Sequence, residues 1–305
     1  MSVATTMPFL CTPLRVGGDG WAAILRIIGA ACVLILGGCS AVVPAYNNAP
    51  FAIHWWLDGY ADFDATQSAR VKADLAQLQA WHRKEDLPRI AQMLQTVQTA
   101  APGDIRAEQV CAWYDEGLAY ARGFGQRSAP AIAATVPTLK PAQVERVRRE
   151  LAKSAKTWRG KWLDARPSEQ IDERLDKALD NVKTWYGAAS PAQTALLRRQ
   201  LESTPYDTAL GWKELQRRHA DMVETIDTLR GLPPERAQTH IEALLERSMV
   251  SPDPVYRGYV ERLIAADCAH LAEFHASTSP SQRRHMADKL AAYGRDLQKL
   301  AAQTP

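Results

Sequence analysis

Apolar residues along most of this chain recur at steps of three and four positions, which is the spacing of one face of an α-helix. The stretches with this spacing are 65–85, 88–100, 105–122, 144–162, 171–186, 206–230, 234–250, 255–276 and 286–300. Glycines and prolines separate them, at Pro88, Gly103, Gly187, Pro205, Gly231 and Pro252. No segment alternates apolar and polar residues for long enough to predict a β-strand. The pattern therefore predicts an all-α multi-helix bundle of amphipathic helices.

Several predicted helix starts share one phrase, in which a glutamine stands three positions after the first residue. The copies are "SPAQTALLRRQL" (190–201), "SPSQRRHMADKL" (279–290), "KPAQVERVRREL" (140–151) and, without the proline, "DATQSARVKADL" (64–75). Ser190 fits the N-cap and Gln193 the third helical position of a capping box. Ser279 and Gln282 repeat this arrangement. Lys140 departs from it, because a lysine side chain cannot accept a backbone proton.

The same phrase also has a functional interpretation. It resembles the Leu-Thr-x-x-Gln motif of small periplasmic chaperones of the Spy and CpxP type, over each twelve-residue copy and not between copies. That resemblance implies a module that cradles unfolded clients or responds to envelope stress. Capping boxes are common at helix starts, so we favour the structural interpretation.

The first forty residues show a different pattern. Arg26 precedes an uncharged apolar run, Ile27–Leu36, which covers only about half of a ~30 Å hydrocarbon core at about 1.5 Å per residue. A positive region followed by a short apolar run is typical of a secretory signal peptide. The run ends in "LGGC" at 36–39, which matches the lipobox of bacterial lipoproteins. In such proteins the cysteine is acylated, and two or more acyl chains hold a protein stably on a bilayer.

These features predict the organisation of the chain. We expect a signal peptide over 1–38, an acylated Cys39 with a short tether over 39–50, and one helical bundle domain over 51–305. Ser40, rather than an aspartate, follows the cysteine, which favours the outer membrane by analogy with lipoprotein sorting in Gram-negative cells. Because the tether is short, the helical body is expected close to the periplasmic face of that membrane.

Charge and cysteine content narrow the function further. The formal net charge is +3 with both signs interspersed, whereas a nucleic-acid-binding protein would need a strong basic excess on one face. With Cys39 acylated and two cysteines lost with the signal peptide, Cys111 and Cys268 remain. They either form a disulfide, which an oxidising periplasm favours, or stay as buried thiols, since cysteine is often a core residue.

Three segments carry a more particular likeness: "YNNAPFAIHWWLDGYADFDATQ" (46–67), "AWHRKEDLPRIAQML" (80–94) and "HASTSPSQR" (275–283). Together with the two remaining cysteines, they resemble a proteobacterial lipoprotein family catalogued only as a domain of unknown function. The resemblance implies an acylated Cys39 and an all-helical fold, and it favours a bridge between Cys111 and Cys268. It implies no activity, substrate or catalytic residue.

Within these segments Trp55, Trp56, Trp81 and His82 form a candidate interaction surface. Trp55 and Trp56 follow the predicted anchor closely, and tryptophan favours the headgroup zone of a bilayer. A tryptophan on an amphipathic helix is more often part of a core, and we favour that interpretation for these two residues.

Candidate catalytic chemistry is sparse. His270 and His275 in "CAHLAEFH" (268–275) lie about 140° apart around a helix, which suits one metal ion poorly. His82 with Glu85 and Asp86 is either an acid–base group or a solvated helix face. We therefore expect no enzyme, cofactor or metal site. The leading hypothesis is a lipid-anchored envelope protein that acts through protein contacts, with the chaperone as the alternative and a histidine-dependent enzyme third.

Overall fold

The computed structural model describes residues 41–303, so the predicted signal peptide and Cys39 lie outside the described residues. Within 41–303 the chain forms eleven α-helices and no strand, which confirms the all-α multi-helix prediction. The helices are α1 (Val42–Asn47), α2 (Ala49–Ala61), α3 (Ala65–Ala100), α4 (Ala107–Thr135), α5 (Pro141–Trp158), α6 (Pro167–Tyr186), α7 (Pro191–Ser203), α8 (Thr208–Leu229), α9 (Pro234–Met249), α10 (Pro254–Ala276) and α11 (Pro280–Ala301). A 3₁₀ turn, Val136–Thr138, follows α4, and a π-helical turn, Arg159–Leu163, follows α5.

Helix α3 is longer than the sequence pattern predicts, because it continues through Pro88. A proline inside a helix removes one backbone hydrogen bond and costs about 3 kcal/mol. Pro88 lies on the exposed side of α3, while Leu87 and Leu94 are buried on the other side. Packing of that buried side against α11 offsets the local cost. The predicted division into helices at 65–85 and 88–100 is therefore wrong, and α4 likewise runs past its predicted end at 122 and through Pro130.

The two largest groups of buried apolar side chains lie in different parts of the core. The larger group joins the end of α3 to α6, α7, α10 and α11, through residues that include Leu94, Leu175, Trp185, Phe274 and Leu290. The other joins α2 and α5 to α8 around Val144 and Ile226. Because Met286 near the start of α11 packs with the end of α3, α11 runs back along α3 in the opposite direction.

The shared phrase at the helix starts forms the predicted capping boxes. The Ser190 hydroxyl accepts a hydrogen bond from the Gln193 backbone N–H at 3.2 Å, and Gln193 Oε1 accepts one from the Ser190 backbone N–H at 2.9 Å. Ser279 and Gln282 make the same two bonds at the start of α11. These bonds satisfy backbone donors that the first turn of a helix leaves unpaired.

The starts of α3 and α5 complete the set of four. Asp64 and Gln67 form a third capping box. At α5 the Lys140 backbone N–H donates to Gln143 Oε1 at 2.8 Å, while the Lys140 side chain accepts no capping bond, as the sequence predicts. The Lys140 ammonium instead lies 3.0 Å from the Asp64 carboxylate, which joins the two helix starts.

The four capping glutamines also bond to one another in two reciprocal pairs. Gln193 Nε2 donates to Gln282 Oε1 at 3.0 Å, and Gln282 Nε2 donates to Gln193 Oε1 at 3.0 Å. Gln67 Nε2 donates to Gln143 Oε1 at 3.2 Å, and Gln143 Nε2 donates back to Gln67 Oε1 at 2.7 Å. The helix starts therefore meet in pairs, α7 with α11 and α3 with α5.

Each glutamine donates its second amide proton to a backbone carbonyl. In every case this carbonyl belongs to the residue two positions before the N-cap of the partner helix. These bonds run from Gln193 to Ser277, from Gln282 to Ala188, from Gln67 to Thr138 and from Gln143 to Asp62. Every glutamine amide thus uses both donors and both acceptor positions. The four copies of the repeated phrase therefore have a structural role: they form two pairs, and in each pair two helix starts lie side by side.

The cysteine pair joins α4 to α10. Cys111 and Cys268 form a disulfide, with the sulfur atoms 2.08 Å apart and the Cα atoms 5.6 Å apart. The two residues are separated by 157 positions in the sequence, so the cross-link closes a long loop of the unfolded chain. The chain-entropy estimate for a closure of that length is about 5 kcal/mol.

Candidate functional site

Helix α1 falls within the segment 39–50 that was expected to be a tether, and contacts with α3 fix it there. The Tyr46 hydroxyl lies 3.0 Å from His82 Nδ1, and Gln79 Nε2 donates to the Tyr46 carbonyl at 2.6 Å. Arg83 Nη2 donates to Asn47 Oδ1 at 2.9 Å. Residues of the "YN" and "WHR" segments that carry the family resemblance therefore hold the N-terminal helix on the body.

His82 is occupied by this packing. Its ring meets Phe124 edge-on, with the ring centroids 5.7 Å apart, and burial lowers its pKa although the charge of Asp86 acts in the other direction. No hydrogen bond joins His82 to Glu85 or Asp86 among the described residues. The hypothesis of an acid–base group at this position gains no support from the geometry.

The predicted four-residue interaction surface divides into two parts. Trp81 and His82 are half-buried on α3, where the Arg127 guanidinium lies 5.6 Å from the Trp81 ring centroid. Trp56 is half-buried on α2 against Tyr60, with the ring centroids 5.1 Å apart. Trp55 is exposed, so the core interpretation is wrong for that residue.

The exposed part of α2 is strongly apolar. Phe51 is 72% exposed, Trp55 54% and Ile53 40%. Phe51 and Trp55 are one helical turn apart and share a face. On another side of the same helix His54 is buried, with its Nε2 2.8 Å from the Ser68 hydroxyl of α3. This contact helps to fix which side of α2 faces the body; we call the exposed pair Phe51 and Trp55, which share one side of the helix, the α2 apolar face.

The histidines of the "CAHLAEFH" segment have separate environments. His275 is fully buried, and its ring nitrogens lie 2.9 Å from the Gly103 carbonyl and 3.0 Å from the Tyr186 hydroxyl. Burial lowers the pKa of His275, which keeps it neutral within this pair of hydrogen bonds. His270 is half-buried at the wall of a cavity. Among residues 41–303 no three metal-ligating side chains converge on one point.

The cavity is the feature that sequence reasoning missed. It has a volume of about 270 Å³ and lies between α6, α7 and α10, with Trp185, Tyr186 and Phe274 among its walls. Arg174 and Asp267 are charged residues at its surface. The available signal was Asp267, a single acid inside the otherwise weakly polar run "LIAADCAHLA" (263–272).

The two charged residues differ in their electrostatics. Burial raises the pKa of Asp267 to about 6, although the nearby charge of Arg174 acts to lower it. The Arg174 guanidinium lies 4.4 Å from the Tyr206 ring centroid and donates to the Leu201 carbonyl at 3.3 Å. Burial lowers the pKa of Arg174, but a guanidinium keeps its charge at all accessible pH values.

A separate buried ion network joins α8 to α9. The buried carboxylate of Glu214 accepts hydrogen bonds from Arg217, Arg218 and the Ser251 hydroxyl. Asp221 in turn accepts bonds from Arg247 of α9. Burial alone would raise the pKa of Glu214, but the hydrogen bonds from the two arginines outweigh it, so the pKa is lowered. All of these groups are paired, and the network holds α8 against α9.

Comparison with known proteins identifies a family for this chain but no activity. The model of a family of unknown function matches residues 59–257, which confirms the resemblance found in the sequence. The matched region is smaller than the likeness, since Tyr46 and the segment 275–283 lie outside it. No curated protein and no solved structure matches the chain. Within residues 41–303 no helix combines the length and apolar content needed to span a bilayer.

Proposed function

The chain belongs to DUF6279, a family with no known function, and we propose that it is a lipid-anchored protein of the periplasmic face of the outer membrane. In this proposal the acyl chains on Cys39 and the α2 apolar face together hold the helical body against the bilayer. The protein then acts through non-catalytic contacts with another envelope protein, and nucleic acid is not a partner.

The observation that carries the proposal is the α2 apolar face, because of its position relative to Cys39. Helix α1 is fixed to α3 from Tyr46 onward, so only residues 40–45 separate the predicted anchor from the packed body. Six extended residues reach about 20 Å, and six helical ones about 9 Å. We infer that an anchor this short brings α2 to the headgroup zone, where an aromatic face is stable.

The energetic contribution of this face is that of a second, weaker anchor. Moving an exposed phenylalanine or tryptophan side chain out of water contributes about 1–3 kcal/mol. In this proposal the acyl chains on Cys39 supply the stable attachment, and the main effect of the added apolar face is to orient the body on the bilayer.

The non-catalytic part of the proposal draws on the histidines. His82 and His275, which were candidates for acid–base or metal chemistry, both serve in packing and hydrogen bonding within the fold. The chaperone alternative loses the observation that motivated it, because the glutamines of the repeated phrase use all their hydrogen-bonding groups on one another and on nearby backbone.

The anchor is tested by mass spectrometry of the processed protein and by washing of isolated envelopes. Cys39 is expected to carry acyl groups, and buffer without detergent is expected to leave the protein on the membrane. A bare thiol at the N-terminus, or release by the wash, would contradict the proposal. Crosslinking of intact envelopes followed by affinity purification is expected to return a specific envelope protein, and its absence would contradict the proposed contacts.

The α2 apolar face is tested separately, with the chain from Ser40 onward, which contains all eleven helices. Phe51→Ser with Trp55→Ser is expected to lower partitioning onto phospholipid vesicles about ten-fold or more. Val255→Ser with Met222→Ser is the matched control, since these side chains are also exposed and apolar but lie on α10 and α8. Equal loss in both pairs, or in neither, would show that α2 does not face the membrane.

A further inference from the structure

The cavity between α6, α7 and α10 has the composition of a small-molecule site. Its volume of about 270 Å³ is close to the lower end of ligand pockets, about 300–1,000 Å³. Such pockets combine mainly apolar and aromatic walls with a few polar groups that fix orientation. Here Trp185 and Phe274 supply aromatic wall, and Arg174 and Asp267 supply charge. A ligand whose apolar part fills this space gains packing contacts with the side chains that line it.

Arg174 has unused binding capacity at this cavity. Its guanidinium carries five N–H donors in a fixed fork, and one of them donates to the Leu201 carbonyl. No ion pair to Arg174 occurs within residues 41–303, whereas Arg198 on the neighbouring helix α7 is paired with Asp172. The Tyr206 ring packs against the guanidinium, with 4.4 Å between the guanidinium carbon and the ring centroid.

Asp267 is also without a hydrogen-bond partner within residues 41–303. Its carboxyl group has a pKa of about 6, because burial opposes its charge more strongly than Arg174 supports it. A second anion placed nearby would raise that pKa further, and the carboxyl would take up a proton. The negative charge of the cavity can therefore be removed at little cost, whereas the positive charge of Arg174 cannot.

We propose that this cavity binds a small amphiphile with an apolar body and a carboxylate head, in which the head pairs with Arg174 and the body packs against Trp185 and Phe274. The charged side chains at the cavity determine whether an anionic or a cationic head group binds better. A cationic head would meet Arg174, which has no ion pair within residues 41–303, whereas the nearby Lys177 ammonium is already paired with Glu173 at 3.5 Å. An anionic head meets only Asp267, which becomes neutral by protonation, and a guanidinium binds a carboxylate through two parallel hydrogen bonds. The proposal is independent of the lipid anchor.

The test compares three soluble probes of one shape: 4-phenylbutyrate, 4-phenylbutanol and 4-phenylbutylamine. Calorimetric titration uses the processed protein as isolated, whether or not it carries acyl groups, and the same preparation without protein is the blank. The expected order of affinity is carboxylate, then alcohol, then amine. Arg174→Met is expected to lower the affinity for the carboxylate about ten-fold or more, which is the scale of a charge-assisted pair. The affinity for the alcohol is expected to change by less than about two-fold.

Three further variants make the outcome decisive. Asp267→Asn removes the opposing charge at nearly constant shape. It is expected to raise the affinity for the carboxylate and to leave the affinity for the alcohol unchanged. Ala178→Phe fills the cavity and is expected to abolish binding of all three probes. Arg127→Met is the matched control, since this arginine also lies over an aromatic ring, that of Trp81, outside the cavity.

The proposal is overturned if no probe shows saturable binding at millimolar concentration, or if Ala178→Phe leaves binding intact. It is also overturned if Arg174→Met and Arg127→Met change the affinity of the carboxylate equally. The thermal midpoint of each variant is measured beside the titration. If Arg174→Met does not fold, the Asp267→Asn result decides: a tighter carboxylate supports the proposal, and an unchanged one overturns it.

Discussion

The reciprocal glutamine pairs allow a quantitative test of how this fold is held together. Gln193→Ala removes the acceptor of the Ser190 N–H, the donor to the Ser277 carbonyl and both bonds to Gln282. A neutral hydrogen bond contributes about 1 kcal/mol net, and a buried group left unpaired costs about 1–3 kcal/mol. We therefore expect Gln193→Ala to lower the free energy of unfolding by about 3 kcal/mol.

A double-mutant cycle isolates the pair itself. Two reciprocal bonds of about 1 kcal/mol each predict a coupling energy between Gln193 and Gln282 of about 1.5–2 kcal/mol. Because Gln67 and Gln143 make the same exchange, their cycle should give a similar coupling. Urea unfolding followed by circular dichroism measures each free energy of unfolding.

The control for both cycles is Gln216→Ala, which truncates an exposed glutamine on α8 and is expected to change stability by less than about 0.5 kcal/mol. A coupling energy below about 0.3 kcal/mol in both cycles would refute the reasoning, because additive effects mean that the residues do not interact. Strong coupling in one pair alone would refute the equivalence of the two copies.

Three other predictions concern buried chemistry. Replacing Cys111 and Cys268 together by alanine should lower the free energy of unfolding by up to about 5 kcal/mol, while dithiothreitol, which lowers the stability of the native protein, should leave the variant unchanged. Glu214→Gln should destabilise the protein by about 1.5–3 kcal/mol at pH 7, because it removes the acid paired with Arg218 and weakens the hydrogen bonds from Arg217 and Ser251. The lowered pKa of Glu214 means that its contribution is present above pH 4.5 and is lost as pH falls through the folded value, so the variant should lose less stability on acidification. The raised pKa of Asp267 acts in the opposite direction: the native protein should lose stability as pH rises from about 4 to about 6, and Asp267→Asn should remove that loss in urea titrations at each pH.

Local signals in the sequence located most helices correctly. The predicted helices at 206–230, 234–250 and 255–276 agree closely with α8, α9 and α10. The capping residues were predictable because a cap depends on four consecutive residues and on backbone geometry alone. Pro88 shows the limit of such signals, since its local penalty is outweighed by contacts between Leu94 and residues of other helices.

The candidate sites were less accessible from the sequence. Trp55 and Trp56 are neighbours with the same chemistry, and the tertiary contacts of α2, among them that of His54 with Ser68, decide that one is exposed and the other half-buried. Likewise, nothing in the spacing of Arg174 and Asp267 indicates that they line one cavity, because α6 and α10 are far apart in the chain.

Local patterns in the sequence are enough to predict that the chain from residue 51 onward is helical, where many of its helices begin, and that an apolar run and a "LGGC" segment precede it. These properties depend on residues within a few positions of one another. The three-dimensional fold was needed to show that the capping glutamines meet in pairs, that α1 docks on α3, and that a charged cavity lies between three helices. Each of these depends on groups brought together from distant parts of the chain, whose positions are set by the burial of apolar surface as a whole and not by any local pattern.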